Sequence, residues 1–183
     1  MGRQSTRENK NIYQQAREEK GLTREKAADL MPGFSSARIE KIEYETQEPT
    51  PYDIVQMADC YGRPDLCNYY CSHKCAIGDR YVPEIEITDL PGIILETIAG
   101  LNDVEALTNR LIQIGRDGKI TDDEIEDFAL ISSKLDAISL AVSTLNLWVD
   151  KTAGENKINL DLLKAEKEKY KSAGQGIRTG KSR

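Results

Sequence analysis

Between residues 90 and 151 the apolar residues recur at steps of three and four, which is the spacing of one face of an α-helix. Two such stripes occur, and a short turn at 117–120 separates them. At ~1.5 Å per residue each helix is roughly 40 Å long. Because the turn between them is short, the two helices must fold back on each other. We therefore predict an antiparallel helical hairpin over residues 89–152. Its stripes are Leu90, Ile94, Ile98, Leu101, Val104, Leu107, Leu111 and Ile114, then Ile125, Phe128, Leu135, Ile138, Val142, Leu145 and Val149.

Gly and Pro residues divide the chain before residue 76 into five shorter helical segments, which makes the predicted fold all-α. Gly21 ends the first segment and Thr23 begins the second as an N-cap. Five short helices in so few residues predict a compact head over residues 11–75. Outside the head and the hairpin we expect a flexible arm at 1–10, a linker at 76–88, and a basic, partly disordered tail at 153–183 with one or two helical turns.

The segment from Ala16 to Ala28, AREEKGLTREKAA, carries a recognisable pattern together with Arg38 to Glu43, RIEKIE. It resembles the xenobiotic-response-element (XRE) family of lambda-repressor-like helix-turn-helix transcriptional regulators, over about residues 11–70. The resemblance implies a five-helix head that binds double-stranded DNA sequence-specifically. In such a head the second helix lies over the phosphate backbone and the third enters the major groove.

The resemblance also implies a set of DNA-contacting residues. Thr23 and Arg24 would contact phosphate from the start of the second helix. The third helix would present its outward face to base edges or phosphate. Arg17 and Glu43 match a structural ion pair between the first and third helices, and Ala28, Ile39 and Ile42 match core positions. The candidates on or beside the third helix are Ser35, Ser36, Ala37, Arg38 and Lys41.

The charge distribution keeps a second function class open. The formal net charge is −6, and the loop at 43–48 is acidic where family members often carry Lys or Arg. Glu40 adds a negative charge beside the candidate readout face, and Pro32 lengthens the turn between the second and third helices by one residue. Carboxylates repel phosphate. The alternative is therefore a helix-turn-helix scaffold reused as an adaptor or protein-interaction module without DNA binding.

Cysteines cluster with the one histidine at the end of the head, at Cys67, Cys71, His73 and Cys75. Cys67 and Cys71 are one helical turn apart, and three thiolates with an imidazole suit a structural zinc ion. Cys60 is an alternative fourth ligand. Two other interpretations stay open: buried thiols that pack as small apolar side chains, and a redox or iron–sulfur sensor. We expect no other cofactor.

The hairpin is expected to make a homodimer. Two helices leave apolar surface uncovered, and heads that read the major groove usually work in pairs. The alternative is a monomer in which the hairpin packs back on the head. Either arrangement leaves the N-terminal head as the DNA-contacting unit.

Several function classes are disfavoured by the sequence. A catalytic triad would have to use His73, and neither a nucleophile elbow nor a phosphate-cradling Gly-rich loop is present, so we expect no enzyme and no small-molecule substrate. We find no apolar run that we expect to span a bilayer, and residues 1–10 lack the apolar core of a secretory signal. The expected location is therefore cytoplasmic, with reduced cysteines.

Overall fold

The computed structural model describes residues 9–116, 118–155 and 157–178, and no β-strand occurs among them. Most of the expected arm, Asp117 of the expected turn and the last five residues of the tail lie outside the described residues. The described residues are mainly α-helical, in agreement with the predicted all-α class. The helices are α1 (Ile12–Glu19), α2 (Arg24–Leu30), α3 (Ser36–Glu43), α4 (Pro51–Tyr61), α5 (Asp65–His73), α6 (Gly78–Tyr81), α7 (Leu90–Ile114), α8 (Ile125–Gly154) and α9 (Leu160–Arg178).

Side-chain caps fix where the first four helices begin. Asn11, Thr23 and Ser35 each accept a backbone N–H from the first turn of the helix that follows. Thr50 and Asp53 cap each other's backbone N–H groups at the start of α4, and Pro51 occupies its first turn. Gly21, with φ of +72°, ends α1 in a left-handed turn that lets the Leu22 N–H donate to the Arg17 carbonyl at 3.1 Å.

Helices α1 to α5 together form the core of the head. Ile39 and Ile42 are buried as predicted, whereas Ala28 is only half-buried. Each fully buried aliphatic side chain stabilises the fold by about 1.5–3 kcal/mol. The buried apolar set is Tyr13, Ala16, Ala27, Met31, Ile39, Ile42, Ile54, Met57, Ala58, Tyr61 and Leu66.

The expected linker is partly structured and attached to the head. It contains the short helix α6, and Asn68 of α5 bonds it at two points. The Asn68 side chain donates to the Pro83 carbonyl and accepts the Ile85 N–H, both at 2.9 Å. The segment 76–88, expected as a linker, therefore contains one short helix and is attached to α5, because a side chain eight residues before it supplies two of its backbone partners.

The tail is more helical than expected. Instead of one or two turns, α9 continues for 19 residues. Asn159 caps its start by accepting the Leu162 N–H at 3.0 Å, and Lys169 pairs with Glu166 on its surface at 2.6 Å. The tail is rich in Lys, Glu, Leu and Ala, which have high helix propensity, and this composition favours a longer helix than the apolar spacing indicates.

Helix α7 packs antiparallel along α8. Gly100 lies against Ile138, Asp103 pairs with Lys134 at 2.7 Å, and Arg110 pairs with Asp127 at 2.5 Å. Residue numbers thus rise on one helix as they fall on the other. A Cβ on Gly100 would lie 2.8 Å from the Ile138 side chain, so the missing side chain permits this close approach.

The packed face of the two helices differs from the predicted stripes. Val104, Leu107, Leu111 and Ile114 lie at least half-buried, but Ile93, outside the predicted stripe, is the residue fully buried near the start of α7. The beginning of α7 carries apolar residues on two faces, so periodicity alone could not show which of them meets α8. Predicted stripe members that are exposed instead are Ile94, Ile98, Leu101, Ile125, Leu135 and Val142.

By length and composition, α8 could cross a membrane, contrary to the expectation that no such segment exists. One such helix is weak evidence for a membrane span, because a long helix of a soluble protein passes the same test. Lys134 and Asp136 lie about one third of the way along α8, and Lys134 forms an ion pair with α7. The location of the protein stays a prediction.

Candidate nucleic-acid interface

A buried ion-pair network holds the first three helices together. The Arg17 guanidinium donates to both carboxylate oxygens of Glu43, at 2.5 and 3.0 Å, and to the Leu22 carbonyl at 2.6 Å. Glu43 is fully buried, and Arg24 donates a further hydrogen bond to it at 2.8 Å. The pair that the resemblance implied between Arg17 and Glu43 is therefore present. It fixes α3 relative to α1, with α2 attached through Arg24.

Arg24 is bound within the protein. In addition to Glu43, its guanidinium contacts Glu40 at 3.4 Å and lies over the Tyr44 ring, 4.9 Å from the centroid. Two carboxylates thus offset its single positive charge. A phosphate would have to compete with both of them for this side chain.

Arg38 is also bound within the protein. Its guanidinium forms a two-point ion pair with Asp53 of α4, at 2.6 and 3.2 Å, and lies over the Phe34 ring. Burial tends to raise the pKa of Asp53, but hydrogen bonds from Arg38 and Thr50 outweigh it and hold that pKa below its ordinary value. Arg38 therefore connects α3 to the start of α4 and is half-buried, whereas the sequence analysis placed it on the outward face.

The other candidates divide into capping residues and exposed residues. Thr23 and Ser35 use their hydroxyls to cap α2 and α3, accepting N–H groups at 3.2 Å. Ser36 is half-buried at the start of α3, whereas Ala37 and Lys41 are exposed along it. Within the described residues Lys41 has no ion pair.

Carboxylates surround this face. Between residues 23 and 48 the chain has six acidic side chains and four basic ones, and two of the basic ones are Arg24 and Arg38. The exposed basic side chains are Lys26 on α2 and Lys41 on α3. The exposed acidic ones are Glu25, Asp29, Glu40, Glu45 and Glu48. A ligand that meets this face encounters two mobile ammonium groups within an acidic border.

The cysteine segment does not form a metal-binding set. Within the described residues no group of three His, Cys, Asp or Glu side chains could hold a metal ion. The His73 ring stacks on Tyr69, its Nδ1 lies 2.9 Å from the Ser72 hydroxyl, and its Nε2 lies 3.4 Å from Glu84. The geometry does not fit the predicted zinc ligand set of Cys67, Cys71, His73 and Cys75. Zinc content of protein purified without chelator would test the prediction directly.

Two of the four thiols pack against the core of the head. Cys60 and Cys67 contact it, and burial raises the pKa of each thiol. Such thiols stay protonated at neutral pH, which disfavours nucleophilic attack. These contacts favour the buried-thiol alternative for Cys60 and Cys67.

A close backbone contact joins the cysteine segment to helix α6. Gly78, at the start of α6, is buried against Cys71 of α5, and a Cβ at Gly78 would lie 2.0 Å from the Cys71 carbonyl oxygen. This contact was not predicted from the sequence. The available signal was the glycine itself, placed soon after a predicted helix, because glycine lets two backbones approach closely.

The chain was compared with protein-family models, with curated proteins and with solved structures, and none of them matches it.

Proposed function

We propose that the chain is a sequence-specific DNA-binding regulator whose α3 enters the major groove. The observation that carries the proposal is the buried Arg17–Glu43–Arg24 network, which holds α3 rigidly while Ala37 and Lys41 remain on its surface. A recognition helix needs this combination of a fixed backbone and an accessible outer face. The resemblance to XRE-family regulators supports the same function.

The side chains divide into contacts and positioning residues in this proposal. Lys41 contacts base edges or phosphate from α3, and Lys26 contacts phosphate from α2. Ser36 and Ala37 face the bases near the start of α3. Arg24 and Arg38 are positioning residues, because each is held by carboxylates of the head itself.

The experiment is a genomic-fragment binding selection with the full chain, followed by salt titration on a selected site. If Lys41 contacts phosphate, Lys41→Ala should lower the slope of log affinity against log salt concentration by about one phosphate contact. If Lys41 contacts a base, the same variant should weaken discrimination at one base pair. Lys164→Ala, an exposed lysine of α9, is the matched control and should behave as wild type. Failure to select any fragment at low salt, with circular dichroism showing an intact fold, would contradict the proposal.

The second candidate is a protein-interaction module, and the acidic border of the same face favours it. Removing two carboxylates separates the candidates. If α3 meets DNA, Glu45→Gln with Glu48→Gln should tighten binding several-fold at low salt, because two phosphate-repelling charges are lost. If instead the double variant leaves nucleic-acid binding undetectable while the head stays folded, the interaction module is the better assignment.

A further inference from the structure

The two-helix layer of α7 and α8 has one side that is apolar and uncovered. On α7, positions 94, 98, 101, 105, 108 and 112 form a line about 100° around the helix from the line that packs on α8. Four members of this line are Ile94, Ile98, Leu101 and Ile112, and their exposures run from 44% to 65%. They therefore form a second apolar seam, separate from the one that meets α8.

Helix α8 carries a matching line. Phe128, Leu135, Val142 and Val149 recur every seven residues, roughly 80–90° around α8 from the line that packs on α7. Leu135 and Val142 are each 44% exposed. Because α7 and α8 run in opposite directions, both offsets turn toward the same side of the pair. The two lines together form one surface, the apolar face.

Charge is nearly excluded from the apolar face. Of the ten positions on its two lines, Glu105 is the one ionisable residue and Thr108 the one other polar residue. On α8 the positions that alternate with the line are Ser132, Ser139 and Asn146. Asp103 and Arg110 lie on the opposite side of α7, where they pair with α8. Such a segregation of charge to one side of a helix pair is typical of a layer that packs against another layer.

We propose that a second copy of this chain covers the apolar face, so that two hairpins form a four-helix bundle. Half-exposed Leu, Ile and Val side chains leave on the order of 500 Å² of apolar surface on one copy, which is toward the upper end of the largest apolar patches on monomers. Two such faces bury on the order of 1,000 Å² when they meet, which is about the smallest area expected of a biological interface.

The charge of the molecule favours a second copy of the chain over a lipid surface as the occupant of the apolar face. Surface-bound amphipathic helices are rich in Lys and Arg on their polar face. Helices α7 and α8 together have three Lys or Arg against seven Asp or Glu, and the chain has a net charge of −6, so an anionic bilayer would repel them. A two-fold axis through the face brings like apolar surfaces together without such a requirement.

The test is sedimentation equilibrium of the full chain between 1 and about 100 µM, the range in which marginal dimers associate. Wild type should have twice the chain mass of 20.5 kDa. Leu101→Asp with Val142→Asp should weaken self-association at least about 100-fold while circular dichroism stays helical, since two charges would be buried. Leu130→Asp is the matched control, because Leu130 is 47% exposed but lies on the other side of α8. It should dimerise as wild type.

Three outcomes would overturn the proposal. A wild-type monomer at the highest concentration is the first, and equal dissociation by Leu130→Asp is the second. The third is flotation of wild type, but not of the double variant, with phosphatidylcholine vesicles, which would make lipid the occupant.

Should the aspartates unfold the hairpin, Leu101→Gln with Val142→Thr keeps the volume and should still dissociate the dimer. Sedimentation equilibrium requires no DNA. A chain that dimerises but selects no genomic fragment would therefore refute the proposed function and leave the dimer proposal intact.

Discussion

At the scale of single residues, the arginines that resemble DNA contacts have partners inside the head. Glu43 accepts from Arg17 and Arg24, and Asp53 accepts from Arg38. Burying a carboxylate is unfavourable unless charges and hydrogen bonds compensate, so these guanidinium groups have a structural role before any functional one. Their substitution should first change stability.

Arg17→Met should lower the free energy of unfolding by about 3 kcal/mol, because it leaves the buried Glu43 with only Arg24 as a charged partner. Urea unfolding followed by circular dichroism measures the loss. Replacing both partners, with Arg17→Met and Glu43→Met, should recover part of it, since no carboxylate then stays buried. An additive loss in the double variant would show that the pair is not what stabilises these helices.

The Arg38–Asp53 pair should make stability depend on pH. The folded-state pKa of Asp53 lies below its ordinary value of 3.8, so its contribution is complete above that pH. It is lost as the pH falls through the lowered folded-state pKa. Urea unfolding from pH 7 to pH 2.5 should therefore show a stability difference between wild type and Asp53→Asn that shrinks on acidification. A constant difference over that range would contradict this account.

At the scale of elements, local contacts decide where helices begin and end, and one glycine decides how two of them meet. Gly78 allows α6 to lie directly on the backbone of α5 at Cys71. Asn68 then fixes the following segment through Pro83 and Ile85. The region between head and hairpin is thus attached to α5.

Gly78→Ala should lower the free energy of unfolding by about 2 kcal/mol, because its Cβ would collide with backbone atoms that cannot rotate away. Gly154→Ala is the matched control, since its Cβ would meet its nearest neighbours at an ordinary 3.8 Å. That control should change stability by no more than about 0.5 kcal/mol. Thermal and urea unfolding of both variants compare them, and equal effects would argue against the close contact.

At the scale of the whole molecule, the head and the hairpin have different roles in the two proposals. The head presents α3, and the hairpin holds two copies together. Two heads on one dimer would suit a two-fold symmetric site with half-sites about 34 Å apart. The acidic border of each head then limits affinity, so pairing of heads would supply part of the binding strength.

Self-association should make the melting temperature depend on protein concentration, because a partner that binds only the folded chain stabilises it by mass action. We expect the wild-type melting temperature to rise by several degrees between 1 and 100 µM. The variant with Leu101→Asp and Val142→Asp should melt at one temperature throughout. Scanning calorimetry at both concentrations measures this, and a wild type without concentration dependence would contradict the dimer.

The sequence alone determined the helices of the head and the pair of long helices after it. Caps such as Thr23, the turn at Gly21 and the apolar steps of three and four act within one or two turns of chain. They can be read without any knowledge of the fold. The Arg17–Glu43 pair was accessible only through the family resemblance.

Only the tertiary structure decided which side chains are available for function. Arg38 meets Asp53 fifteen residues away, and Ile93 rather than Ile94 is buried near the start of α7. Neither outcome can be predicted from the neighbouring residues in the sequence, because Arg38 has the same position on α3 whether or not Asp53 lies beside it. The face that a helix buries depends on what folds against it, since apolar burial is proportional to area and has no preferred direction along the chain.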